Sequence, residues 1–211
     1  LGPTGSAKST LVQLIPRLYD ITDGNLKVGG HDIKDYDLKT LRDAVTIVLQ
    51  KNTLFSGTII DNLKWGDPDA SFEEVVAMAK IAQADEFINE RNDGYQSELG
   101  QGGTGVSGGQ KQRLTIARSL LKKPKILILD NSTSAVDTKT EANLLEGFNK
   151  LDEDMTQIII SQRLSSFDHA DRIVIMDNGQ ISDIGTADEL YQRNEIYRMT
   201  YDIQQKGGED E

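Results

Sequence analysis

Near its start the sequence runs Gly2-Pro3-Thr4-Gly5-Ser6-Ala7-Lys8-Ser9-Thr10, glycines and small residues closing on a lysine and a hydroxyl. A Gly-rich loop that opens a helix turns unpaired backbone N–H groups and the positive end of the helix dipole toward a phosphate, and a lysine at its end reaches the terminal phosphates. Lys8 fits that role, and Ser9 offers its hydroxyl to Mg²⁺. The usual pattern has Gly where Ala7 stands. A left-handed backbone there costs an alanine about 1–2 kcal/mol, which weakens phosphate binding rather than abolishing it. Farther on, the apolar run Lys125-Ile126-Leu127-Ile128-Leu129 ends in Asp130, an oxygen ligand of the kind hard cations prefer. Gln50, at the end of the β-branched run Val45 to Leu49, supplies a further oxygen for the same ion. Taken singly, each has a plainer reading: a turn before a helix, a capping carboxylate, a solvated strand end. Where hydrolysis calls for an acid or base, the sequence has amides, Asn131 directly after Asp130 and Gln162 after Gln157-Ile158-Ile159-Ile160-Ser161. It is built to bind a triphosphate better than to cleave it.

The elements that must position these residues follow from pattern. Leu11, Val12, Leu14, Ile15 and Leu18 fall at helical spacing, so the spacing predicts a helix over 8–18 behind the loop. Leu26 to Val28 and His31 to Ile33, punctuated by Gly29-Gly30, read as a small antiparallel flap. Val45 to Leu49 reads as a buried strand that carries Gln50 at its tip. From about 57 to 121 the pattern is helical, with an apolar stripe through Val75, Val76, Met78, Ala79 and Ala82, and this stretch is expected to form an inserted helical subdomain. Strands return at Ile126 to Leu129, Ile158 to Ser161, Ile173 to Met176 and Gln180 to Ile184, with a helix from Thr138 to Lys150 and a hairpin turn at Asp177-Asn178-Gly179-Gln180. Alternation of strand and helix calls for an α/β fold with a mostly parallel core sheet. The acidic tail, Gly207 to Glu211, is expected to fray.

At 211 residues one α/β domain is expected. The net charge of −11 argues against nucleic-acid binding over a broad surface, because that binding needs Lys and Arg to displace phosphate counterions. The chain has no Cys, which removes disulfides and thiolate metal sites and is compatible with a cytosolic location. No apolar run approaches the roughly 18 residues of a membrane-spanning helix. Leu1 is not an initiator Met and runs straight into a loop that needs a strand ahead of it, so a longer parent chain, with that strand missing here, is expected. His31 and His169 read as surface or capping residues, Trp65 as a packed aromatic at the edge of the helical stretch, and Asp85-Glu86 as a solvated face.

Val106-Ser107-Gly108-Gly109-Gln110, continuing Lys111-Gln112-Arg113 ahead of a helix with apolar Leu114, Ile116, Ala117, Leu120 and Leu121, resembles the signature motif of the ATP-binding-cassette (ABC) ATPases. The remaining motifs fall in that family's order over nearly the whole chain. Gly2 to Thr10 resembles its Walker A loop, Gln50 its Q-loop, Ile126 to Asp130 its Walker B strand and Ser134-Ala135-Val136-Asp137 its D-loop, while Gln162 occupies its switch-histidine position. Tyr95 to Gly103 is similar to the exporter-type loop that contacts a membrane domain. The resemblance implies a P-loop NTPase fold over residues 1–211 and a nucleotide-binding domain with ATP and Mg²⁺ as cofactors. It implies transport-coupled ATP hydrolysis at the cytoplasmic face of the cell membrane, and a transmembrane domain upstream in the same parent chain. It also implies a head-to-tail pair in which Ser107, Gly108, Gly109 and Gln110 close over the partner's nucleotide.

Family members that hydrolyse ATP well carry Glu after the Walker B Asp and His at the switch. Asn131 orients a water without taking its proton, and loss of a positioned acid or base costs about 10²–10⁴-fold in rate. The resemblance is thus to the degenerate-site half of an asymmetric heterodimeric exporter, whose signature motif completes the site of a non-identical partner. Two other readings stand beside it, a soluble cassette ATPase acting on nucleic acid and a regulatory subunit that never hydrolyses ATP.

Overall fold

The computed structural model describes residues 1–151 and 154–208. Helix α1 (Lys8–Leu14) starts directly behind the Gly-rich loop and stops short of Leu18, because Arg17 turns to φ 53° and the Leu18 N–H folds back to the Gln13 carbonyl at 3.0 Å. The expected flap is a hairpin of β1 (Lys27–Val28) and β2 (His31–Asp32), with Gly29 and Gly30 at φ 57° and 85° as a two-residue turn of this kind demands. Helix α2 (Leu38–Ala44), absent from the sequence reading, is set by Asp37, whose carboxylate accepts the Thr40 N–H at 3.0 Å. It delivers the chain into β3 (Val45–Val48).

Between β3 and the next core strand come β4 (Gly57–Thr58), α3 (Ile59–Lys64), α4 (Phe72–Ile81), α5 (Asp85–Asn89), β5 (Glu98–Leu99) and α6 (Gly108–Leu121). The apolar stripe expected through Ala82 is α4, opened by a capping box of Ser71 and Glu74 and closed where Gln83 takes φ 56°. Pairing of Gly57–Thr58 with Glu98–Leu99 had no counterpart in the sequence pattern, since two residues make no periodicity.

The core sheet is parallel, in the order β3, then β6 (Ile126–Asp130), then β7 (Thr156–Ile160). Alternate residues of β6 serve opposite faces. Leu127 and Leu129 join the cluster formed with the helices of 59–121, while Ile128 joins Val12 of α1 and Leu41 of α2. Burial on both faces explains why β6 reads as an unbroken apolar run. Helix α7 (Thr138–Phe148) links β6 to β7, and β7 is followed by β8 (Ile173–Asp177) and β9 (Gln180–Gly185), joined through Asn178 and Gly179 at φ 48° and 78°. Helices α8 (Ala187–Arg193) and α9 (Glu195–Gly208) cover this hairpin around Phe167, Ile175, Leu190 and Tyr197. The acidic end expected to fray falls mainly on residues 209–211, which lie outside the described residues, whereas the backbone of 207–208 continues α9.

A cavity of about 710 Å³ separates β7 from β8. At its mouth Leu1 is held along β8, its nitrogen donating to the Val174 carbonyl at 2.8 Å and its carbonyl accepting the Met176 N–H at 2.9 Å. Trp65 is not packed as expected. It is 64 % exposed and stacks on Phe55, with ring centres 4.4 Å apart. No helix among the described residues is long and apolar enough to cross a membrane.

Candidate functional site

Parallel strands end on the same side, and a ligand site of an open α/β sheet forms outside those carboxyl ends. Val48, Leu129 and Ile159 lie in register across the sheet, so Gln50, Asn131 and Ser161 follow at the same level beyond it, with Gln162 one step farther. The result is a cavity of about 270 Å³ lined by Gln50, Asn131, Thr133, Ser134, Ser161, Gln162 and Arg163. Residues more than a hundred positions apart in sequence are gathered by strand register alone. Asn131 takes φ 48°, a left-handed conformation that Asn tolerates better than most residues, and its N–H is fixed to the Ile160 carbonyl at 2.9 Å.

Beside these strand ends, the Gly2–Thr10 loop leads into α1. Gly2 has no room for a side chain, since a Cβ there would lie 2.0 Å from the Met176 carbonyl oxygen. Pro3, Thr4 and Gly5 are exposed, as is Thr10, whereas Ser6 is buried. Ala7 adopts φ 66° and ψ 20°, the left-handed conformation expected from the glycine it replaces. The Lys8 ammonium is drawn into the loop, donating to the Gly2 and Pro3 carbonyls at 2.8 Å each and to Ser6 Oγ at 3.0 Å. Burial lowers its pKa, and the nearby Asp130 carboxylate opposes that shift. Ser9 Oγ donates to Asp130 Oδ1 at 2.8 Å, tying the loop to the end of β6.

The fit to a magnesium nucleotide rests on this chemistry. Ser9 hydroxyl and Asp130 carboxylate, joined by their hydrogen bond, and the Gln50 carboxamide beyond the neighbouring strand would offer all-oxygen donors, the kind that suits Mg²⁺ shared with phosphate oxygens. Lys8 already sits where carbonyl dipoles converge, ready to exchange them for phosphate oxygens.

Ser107 to Gln110 stand apart from the 270 Å³ cavity. Ser107 is the N-cap of α6: its Oγ accepts the Gln110 N–H at 3.2 Å while Gln110 Oε1 accepts the Ser107 N–H at 3.0 Å. Ser107 and Gly108 are exposed. Gly109 touches the Ser134–Asp137 turn so closely that a Cβ would meet the Ala135 carbonyl oxygen at 2.7 Å. Gln112 accepts the Ala135 N–H at 3.1 Å and fixes the turn from the other side. Within one chain, then, the Ser-Gly-Gly turn faces outward and does not close over the chain's own loop.

Neither histidine enters the site. His31 is exposed against the Tyr36 ring, and His169 borders the larger cavity. Sequence reasoning passed over Thr133, Ser161 and Arg163 as lining residues. The available signal was position, since each follows within three residues of a strand's carboxyl end.

Comparison with known proteins agrees with this geometry. The family model described as "ABC transporter" matches residues 1–134. A putative multidrug export ATP-binding/permease protein of Bacillus subtilis (strain 168), YgaD, is 48% identical over 204 residues, covering 97% of this chain and 35% of the relative. A putative multidrug export ATP-binding/permease protein of Staphylococcus aureus (strain N315), SA1683, is 46% identical with the same coverage. The chain thus spans about a third of the length of the curated relatives it matches. A solved bacterial Atm1-family ABC exporter with ATP bound superposes with a TM-score of 0.93 at 38% identity, over 96% of this chain and 36% of that one.

Proposed function

The chain belongs to the ABC transporter family, and we propose that it is the nucleotide-binding domain of an exporter whose ATP-driven pairing moves an attached membrane domain. The observation that carries the reading is the Ser9–Asp130 hydrogen bond, which joins a phosphate-binding loop to the strand-end carboxylate beside Gln50, Asn131 and Gln162. Gly2 to Thr10 hold the triphosphate through backbone N–H groups and Lys8. Ser9, Asp130 and Gln50 hold Mg²⁺, which screens the phosphate charge when bound. Asn131 and Gln162 orient the attacking water by hydrogen bonds. Neither removes its proton at neutral pH, so the chain's own site turns ATP over slowly.

Ser107, Gly108, Gly109 and Gln110 serve a second nucleotide-binding domain. Their outward placement supports this, as does the exposed helix N-terminus that closes over a triphosphate. Two copies of this chain would share two slow sites, so the partner is a non-identical half-transporter that brings its own acid and base. Residues 57–121 act as an inserted helical subdomain. The exposed Phe55–Trp65 stack, on the edge of that subdomain, faces the membrane domain, which lies upstream in the same parent chain. The assembly sits at the cytoplasmic face of the cell membrane, and the net charge of −11 leaves nucleic acid outside its partners.

A mixed-subunit ATPase assay tests the reading. The pair is expected to hydrolyse ATP at least about tenfold faster than this subunit alone, in line with the effect of one positioned acid or base. Equal rates would remove the heterodimer, and absence of MgATP binding by the parent protein would remove the whole reading.

A further inference from the structure

Behind the 270 Å³ cavity, on the first turn of α7, the Glu141 side chain is only 2 % exposed and does not line the cavity itself. A buried carboxylate needs partners for both oxygens, and Glu141 draws them from two separate chain segments. Oε1 accepts from Thr133 Oγ1 at 2.7 Å and from Ser166 Oγ at 2.8 Å, and Oε2 accepts from Arg163 Nη1 at 2.5 Å. The same Arg163 nitrogen donates to the Val136 carbonyl at 2.8 Å. Ser166 Oγ also lies 2.8 Å from Ser161 Oγ, which in turn accepts the Arg163 N–H at 3.0 Å. A serine has one hydroxyl hydrogen and a carboxylate only accepts, so Ser166 donates to Glu141 and takes the hydrogen of Ser161.

One segment, 131–136, carries Asn131, Thr133 and Ser134 of the cavity wall. The other, 161–166, carries Ser161, Gln162 and Arg163. The first segment also packs on Gly109 and Gln112 at the start of α6. We propose that Glu141 is a positioning residue that locks these two segments into one unit, fixing the spacing of Asn131 and Gln162 and passing any shift of either to the Ser134–Asp137 turn. The inference rests on the nucleotide-site reading for its consequence and on the hydrogen bonds alone for the coupling. Nothing in it touches Lys8, Ser9 or Asp130, so nucleotide affinity and turnover separate.

Glu141→Gln in the full parent protein tests it, because Gln keeps the shape but cannot accept from Arg163 and Thr133 at once. Without nucleotide, amide hydrogen exchange is expected to rise about tenfold together in 131–136 and 161–166, with α1 and β3 unchanged. With the partner's site disabled, single-turnover cleavage of MgATP at this chain's own site is expected to slow about tenfold or more while nucleotide affinity stays within about threefold. Should Glu141→Gln fail to fold, Ser166→Ala removes a single partner and is expected to loosen the same two segments to a smaller extent. Exchange that rises in one segment only, or uniformly through the chain, overturns the coupling, as does an unchanged single-turnover rate at this chain's own site. Absence of MgATP binding by the wild-type protein would remove the nucleotide-site reading and leave the exchange result standing.

Discussion

Replacing Ala7 by glycine isolates the strain stored in the phosphate-binding loop. Ala7 holds φ 66° and ψ 20°, so a left-handed conformation is part of the fold. Relief of that conformation returns about 1–2 kcal/mol. Glycine also widens the unfolded ensemble, which takes back about 0.4–1 kcal/mol. The net expectation is a stabilisation of about 0–1.6 kcal/mol, centred on about 0.8, and at about 2–4 °C per kcal/mol for a chain of this size the central value is a rise of about 2–3 °C in Tm. Nucleotide affinity is expected to change by less than about threefold, since strain carried alike with and without nucleotide cancels from the binding free energy. Calorimetry on Ala7→Gly, with Gly5→Ala as the opposite control at φ 84°, reads both signs. A lowered Tm for Ala7→Gly, or an affinity gain above tenfold with Tm unchanged, would refute the reasoning and place the strain in the bound state.

Gly109→Ala drives a Cβ into the Ala135 carbonyl, and overpacking of this kind costs about 1–3 kcal/mol; chemical denaturation should show that loss, while a neutral substitution would mean the turn yields freely. Lys8→Ala removes the ammonium at the loop's centre and is expected to abolish saturable binding of MgATP in equilibrium dialysis with the fold retained by circular dichroism. The Lys123 ammonium, bonded to Glu74 at 2.6 Å, and then the Ser71 N–H hold the Glu74 carboxyl down at about 2. A depressed folded-state pKa adds stability above the unfolded value, and that stability fades as pH falls through about 4 toward 2. Lys123→Met should return the Glu74 titration toward the ordinary carboxylate range in a carbon-detected NMR titration, and an unmoved midpoint would show that the capping N–H does the work.

The parallel core was legible because β6, buried on both faces, reads as an unbroken Ile and Leu run, and because β3 and β7 carry β-branched apolar stretches. Asn178-Gly179 announced its hairpin by turn chemistry alone. The short β4–β5 pair and α2 were not legible, since two-residue strands have no period and α2 shows itself mainly through the Asp37 cap. Sequence shows that Trp65 is hydrophobic but not whether neighbours cover its ring, which stacks on Phe55 and stays 64 % exposed. The site residues were readable as types at strand ends. Their convergence depended on sheet order, which placed β6 between β3 and β7. Glu141 was invisible as a member of the assembly, because a Glu in the first turn of a helix looks like a surface residue until Arg163 and Ser166 are seen to bury it.

Hydrolysis at this chain's own site, with the partner's site disabled, tests the central claim most directly. The double substitution Asn131→Glu with Gln162→His restores a proton acceptor beside Asp130 and an imidazole opposite it, in a cavity whose walls are already in place. Single-turnover cleavage of MgATP is expected to accelerate about 10²–10⁴-fold with affinity unchanged. Wild-type cleavage already as fast as that of the double variant would contradict the account, showing that the two amides do not limit the chemistry.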